Sequence, residues 1–133
     1  MNMATNTNRS DDEQLEDMIQ RKGKTAPRVT PADIEAVIID EAYFTAQDGV
    51  YGATVQTGLT RPYIAGHQLL TFCVLTLRNG FTVTGESACA SPENFDAEIG
   101  RKIARDNAKN KIWMLEGYLL KQRLQDGEGA GSA

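Results

Sequence analysis

Arg101, Arg105 and Lys109 follow one another at four-residue intervals in GRKIARDNAK, so on a helix their cationic heads form a ladder along one edge. Just ahead, SPENF sets Ser91 as a cap, Pro92 at the first helical position, and Asn94 and Phe95 in the first turn. A helix start of this kind presents unpaired amides and a positive dipole end, which suits a phosphate, and guanidinium groups add bidentate donors or a plane for stacking on a base. The chemistry on offer is local capture of an anion. The plainer reading is a well-capped helix: Glu93 and Asp96 complement the dipole, and the cations are solvated or paired with Glu98 and Asp106. Capping and surface charge are common, so the residues alone favour the plainer reading.

The whole chain narrows the choice. Its 133 residues, 41% hydrophobic and 24% charged, describe one soluble domain with a modest core, which oligomerisation would help. A net charge of -4 argues against coating a DNA or RNA polymer or an anionic membrane, because both need a summed positive field. No apolar run approaches the roughly 18 residues of a membrane span, and the first thirty residues are polar where a secretory signal needs an apolar core. The expectation is a cytosolic protein.

An enzyme reading finds little to stand on. His67 is the single histidine, no cluster has metal-ligand spacing, and no nucleophile elbow, phosphate loop or GxGxxG stretch is present. Glu86, near Thr82 and Thr84, has no obvious partner carboxylate. No catalytic residue, metal or cofactor is expected.

The elements that must position the basic residues come next. Residues 1–27 read as a polar, acidic arm, flexible or a frayed helix with only Leu15, Met18 and Ile19 as an apolar stripe; residues 28–124 form a single α+β domain; residues 125–133 are a disordered tail. In VTPADIEAVIIDEAYF, the Thr30 cap, Pro31 and Asp33 precede Ile34, Val37, Ile38 and Ala42 at helical spacing, which predicts a helix over 31–43. The Gly-rich stretch from 45 to 67 reads as a functional or poorly ordered loop, in which Arg61 is placed to close over a phosphate or simply to be solvated.

HQLLTFCVLTLRNGFTVTGESACA carries the clearest local signal, with Asn79-Gly80 between two β-rich runs. A two-residue turn there pairs Arg78 with Phe81, Cys73 with Glu86 and Leu70 with Cys89. This register sets Leu70, Phe72, Val74, Phe81 and Val83 on the core face and keeps the two cysteines on opposite sides, unpaired. A helix from Ser91 to about Arg123 then has a wide apolar band, with Glu98, Lys102, Arg105, Lys109 and Glu116 left as a narrow polar stripe. Such a rod in so short a chain predicts at least a homodimer. Asn107 and Asn110 fall inside the band and need hydrogen-bond partners if buried.

RVTPADIEAVIIDEAYFTAQDGV together with LLTFCVLTLRNGFTVTGESACASPENFDAEIGRKIARDNAKNKIW resembles a widespread family of small tailed-phage and prophage proteins, over about residues 28 to 124. The resemblance extends to the first-described type of anti-Thoeris proteins, phage-encoded sponges that bind cyclic ADP-ribose isomers made by TIR-domain defence enzymes; some members also capture cyclic oligonucleotides. It implies an α+β homo-oligomer, a dimer or higher, in the host cell cytoplasm. Ligand would be held uncleaved near a subunit interface by aromatic, arginine and asparagine side chains. Asn94, Phe95, Arg101, Arg105, Arg61 and Lys109 are the residues of suitable chemistry that the resemblance puts forward. The match is weakest across GATVQTGLTRPYIAG, which leaves ligand choice open. A second expectation, of another class, is a phage protein that inhibits a host protein by direct contact through the long helix or the acidic arm.

Overall fold

A computed structural model describes residues 8–24 and 26–127 of the chain. In chain order these form α1 (Asn8–Arg21), α2 (Pro31–Val37), β1 (Ile38–Thr45), α3 (Ala46–Thr57), β2 (Leu70–Leu77), β3 (Thr82–Ala88) and α4 (Ala97–Gln125). The strands make one antiparallel sheet in the order β1-β2-β3, and α4 packs across one of its faces. The class is α+β, as expected. The tail expected at 125–133 and the start of the acidic arm lie largely outside the described residues.

α2 starts as the sequence predicts. Thr30 Oγ1 accepts from the Asp33 amide, the Asp33 carboxylate accepts from the Thr30 amide, and Pro31 occupies the first turn. It ends at Val37 rather than 43, because the next eight residues pair with β2 from Ile38↔Leu77 to Thr45↔Thr71. The helical spacing of Ile34, Val37 and Ile38 is shared by both elements, and a two-stranded hairpin is marginal without a third strand. Long-range pairing overrides local period here.

The stretch expected to be a loop begins with a helix. Thr45 and Asp48 form a second reciprocal capping box, at 3.1 and 2.9 Å, and Gly58 closes α3 in the left-handed conformation with φ +75°. No residue of α3 is buried. It stands at one end of the sheet face that α4 leaves open.

The β2–β3 register differs by one residue from the expected one. Arg78, Asn79 and Gly80 form a three-residue connection in which the Leu77 amide donates to the Phe81 carbonyl at 2.8 Å and Gly80 adopts φ +91°. Gly80 therefore serves as the left-handed third residue of a longer loop, not as half of a two-residue turn. Cys73 faces Gly85, so Val83 keeps the core face but shares it with Thr71, Cys73, Leu75 and Leu77 instead of Leu70, Phe72 and Val74. The core face carries Thr71, Cys73, Leu75 and Leu77 with Val83, while Leu70, Phe72 and Val74 are half-buried on the other side and Phe81 is 57% exposed. Cys73 and Cys89 share the buried face as free thiols, separated along the strands.

Ile34, Val37, Cys73, Leu75, Leu77, Val83, Ala104, Ala108 and Ile112 form the core. The α4 face within it is built of small residues and faces a glycine. A Cβ on Gly85 would run into the Ala104 carbonyl oxygen and the Ala108 amide nitrogen and sit 2.9 Å from the Ala108 Cα. The helix thus lies directly on β3, which only Gly permits. α1 is tied to the domain through a bidentate pair from Arg28 to Glu16, at 2.8 and 2.6 Å.

Candidate functional site

The helix start expected at Ser91 is absent. Pro92–Asn94 is a single 3-10 turn, Ser91 makes no capping bond to the backbone, and its hydroxyl donates instead to Glu93 at 2.5 Å. α4 begins at Ala97 with Asp96 as its cap, accepting from the Ile99 amide at 3.0 Å. Asn94 is exposed on that short turn, and its amide serves only to close it onto the Ser91 carbonyl. The dipole end of the long helix is therefore filled by a carboxylate.

The basic ladder splits into two. Arg105 is clamped: its guanidinium donates to both Glu35 oxygens at 3.2 and 2.9 Å and twice to Glu41 Oε2 at 3.0 and 2.9 Å. Lys109 belongs to the same cluster, with Nζ 3.2 Å from Glu35 Oε2 and 4% of the residue exposed, so it is not part of a solvated stripe. Hydrogen bonds from Arg105 hold the Glu35 carboxyl down at about 2, against the opposing effect of burial and with further help from Lys109. Glu41 is lowered by the same guanidinium, and the Arg105 pKa is raised in return. Burial and a 2.7 Å bond to Glu41 push the Tyr43 hydroxyl up, and burial pushes the Cys73 thiol beneath it to about 11. This network pins α2 and β1 to α4. Its cations already have anions.

Arg101 remains exposed and meets Phe95 at a recess shared with Tyr43, Phe44, Thr45 and Asp48. At about 120 Å³ the recess falls well below the roughly 300 to 1,000 Å³ of small-molecule sites. Arg61 sits apart, on a groove of about 630 Å³ under α3 floored by Phe44 and Phe72, whose rings stack at 5.6 Å. Asn94, Phe95 with Arg101, Arg105 with Lys109, and Arg61 thus occupy separate places on one chain. Asn107 spends its side-chain amide on the Glu86 carbonyl at 2.9 Å, and Asn110 is exposed.

A larger concave surface lies elsewhere among the described residues. A groove of about 810 Å³ runs between the β2–β3 connection and the second half of α4, lined among others by Arg78, Phe81, Met114, Glu116, Tyr118 and Arg123. A second hollow of about 560 Å³ continues it past Phe81 and Met114 toward Asn110 and Lys111. Phe81 is 57%, Tyr118 71% and Met114 80% exposed, a contiguous apolar surface of the kind that marks a binding site. Among the described residues, Arg78, Glu116 and Arg123 have no side-chain hydrogen bond or ion pair. The groove pairs aromatic faces with unspent guanidinium groups.

None of these lining residues follows from the expected register, which sends Phe81 inward. A three-residue connection over Arg78-Asn79-Gly80 leaves Phe81 on that same face, opposite Leu77 and in step with Val83, where it lines the groove beside Met114 and Leu115 and is 57% exposed. Among the described residues no group of three or more His, Cys, Asp or Glu has a metal-holding arrangement, and no helix is long and apolar enough to cross a membrane.

Comparison with curated proteins and with solved structures gave no match. The model of the phage protein (N4 Gp49/phage Sf6 gene 66) family matches residues 29–124, and the chain belongs to that family.

Proposed function

We propose that this phage protein captures cyclic nucleotide immune signals, cyclic ADP-ribose isomers foremost and cyclic oligonucleotides as well, and holds them without cleaving them in the host cytoplasm. One observation carries the reading. The 810 Å³ groove combines two exposed aromatic rings, Phe81 and Tyr118, with two arginines that have no partner among the described residues. Its volume suits a cyclic dinucleotide or a cyclic ADP-ribose, the rings suit a base, and the guanidiniums suit phosphate oxygens. In a chain of net charge -4, a pyrophosphate needs such donors placed locally.

The rim also exposes Met114 and Leu119, so the proposal includes a second copy that covers them and closes the groove. Arg101, Phe95, Asn94 and Arg61 enter the site only through such an assembly. Arg105 and Lys109 act in it by holding α4 in place.

The test incubates purified protein with a lysate containing an active TIR enzyme, recovers the protein and denatures it by heat. An intact cyclic nucleotide should be released. Phe81→Ala should lower capture about tenfold, since base–aromatic stacking contributes roughly 1–3 kcal/mol per base. Release of a hydrolysed product would make the protein an enzyme. Recovery of no nucleotide, with a host protein retained instead, would replace this reading by inhibition through direct contact.

A further inference from the structure

Glu116 is an odd residue for a groove that receives phosphate. It lines the 810 Å³ hollow beside Arg78 and Arg123, is half-buried, and has neither an ion pair nor a hydrogen bond among the described residues. A carboxylate there repels a phosphate, and with no partner among the described residues its oxygens are free to accept from a donor bound in the groove. The guanidiniums take the anionic part of a nucleotide and the rings of Phe81 and Tyr118 take the base face. The base edge is then left for Glu116.

We infer that Glu116 is the specificity-determining residue of this groove, accepting a hydrogen bond from the exocyclic amino group of the bound base and so selecting a 6-aminopurine over a 6-oxopurine. The inference rests on the capture reading above. Its chemical basis is simple: an ionised carboxylate is acceptor-only. Adenine offers it an N–H at the 6-position, where hypoxanthine sets a carbonyl oxygen that it repels. Carboxylates read amino-bearing base edges in the same way elsewhere.

Full-length wild type, Glu116→Met and Glu116→Gln are titrated calorimetrically with two isosteric probe pairs: cyclic di-AMP with cyclic di-IMP, and a glycosidically cyclised ADP-ribose with its hypoxanthine counterpart. Wild type should prefer the adenine member of the pair it binds. Glu116→Met should shrink that preference about tenfold, and Glu116→Gln should keep part of it through its amide oxygen. Inorganic pyrophosphate should bind both neutral variants at least as tightly as wild type, because a repulsive charge is gone. Circular dichroism checks that both Glu116 variants remain folded. An unchanged preference in Glu116→Met would remove Glu116 from recognition while leaving capture intact. Wild type that binds no member of either pair would overturn the capture reading and this inference together.

Discussion

Gly85→Ala should lower stability by about 3 kcal/mol or more, the largest effect expected from any single methyl group in this chain. The added Cβ meets the backbone of α4 at Ala104 and Ala108, and backbone cannot turn aside as a side chain can. Either α4 lifts off β3, opening space around Leu75, Val83 and Ile112, or β3 leaves the sheet. Gly100→Ala is the matched control. Its Cβ would lie 3.0 Å from Thr71 Oγ1, a side-chain atom able to rotate, and the gain in helix propensity of about 1 kcal/mol offsets the crowding. Urea denaturation of both variants checks the contrast: a Gly85→Ala midpoint equal to wild type would mean that α4 does not rest on β3 as described.

The same contact shows what local pattern conveys and what it does not. The length of α4 and the α+β class follow from apolar spacing and from the β-rich runs on either side of Asn79-Gly80. That Gly85 is a contact glycine does not, because the helix it touches lies about twenty residues further along and nothing near Gly85 signals its approach. The glycines of α3 misled in the opposite sense. Gly49 and Gly52 suggested a loop, although Thr45 and Asp48 spell a capping box and Gly58 a helix end. Those caps were legible and outweighed two interior glycines.

At the site, the sequence offered the right residue types in the wrong company. Four-residue spacing in GRKIARDNAK correctly places Arg101, Arg105 and Lys109 along one helix, but spacing within a helix is silent about what packs opposite. The partners of Arg105 and Lys109 lie 64 to 74 positions earlier, on α2 and β1, and β1 itself was hidden by a helical pattern. Phe81 shares the α4 face with Leu77 and Val83 and is nonetheless 57% exposed, because alternation gives the face of a side chain but not how far its cover extends.

Arg105 accordingly becomes a residue whose loss is felt first in folding. Arg105→Ala leaves Glu35 with Lys109 alone and Glu41 with the Tyr43 hydroxyl alone. Removing one partner from a fully buried pair costs roughly 3–5 kcal/mol, and surface pairs contribute about 0–1. With side-chain exposures of 21% for Arg105, 40% for Glu35 and 36% for Glu41, the expected loss falls between these limits, at about 2 kcal/mol at neutral pH. The pH dependence has a definite sign. Both carboxyls titrate lower in the folded protein than the ordinary 4.5, Glu35 at about 2. Their contribution is therefore complete above 4.5 and is lost as pH falls toward 2. The gap between wild type and Arg105→Ala should accordingly narrow across that window. Asp12 opposes this trend, because burial raises its carboxyl, but it does so equally in both proteins and leaves the difference unchanged. Melting temperatures at pH 7, 5 and 3 measure the gap. A constant gap would mean that Arg105 stabilises through its packed aliphatic stem rather than its charge, and a gap of zero at pH 7 would free the guanidinium for a ligand.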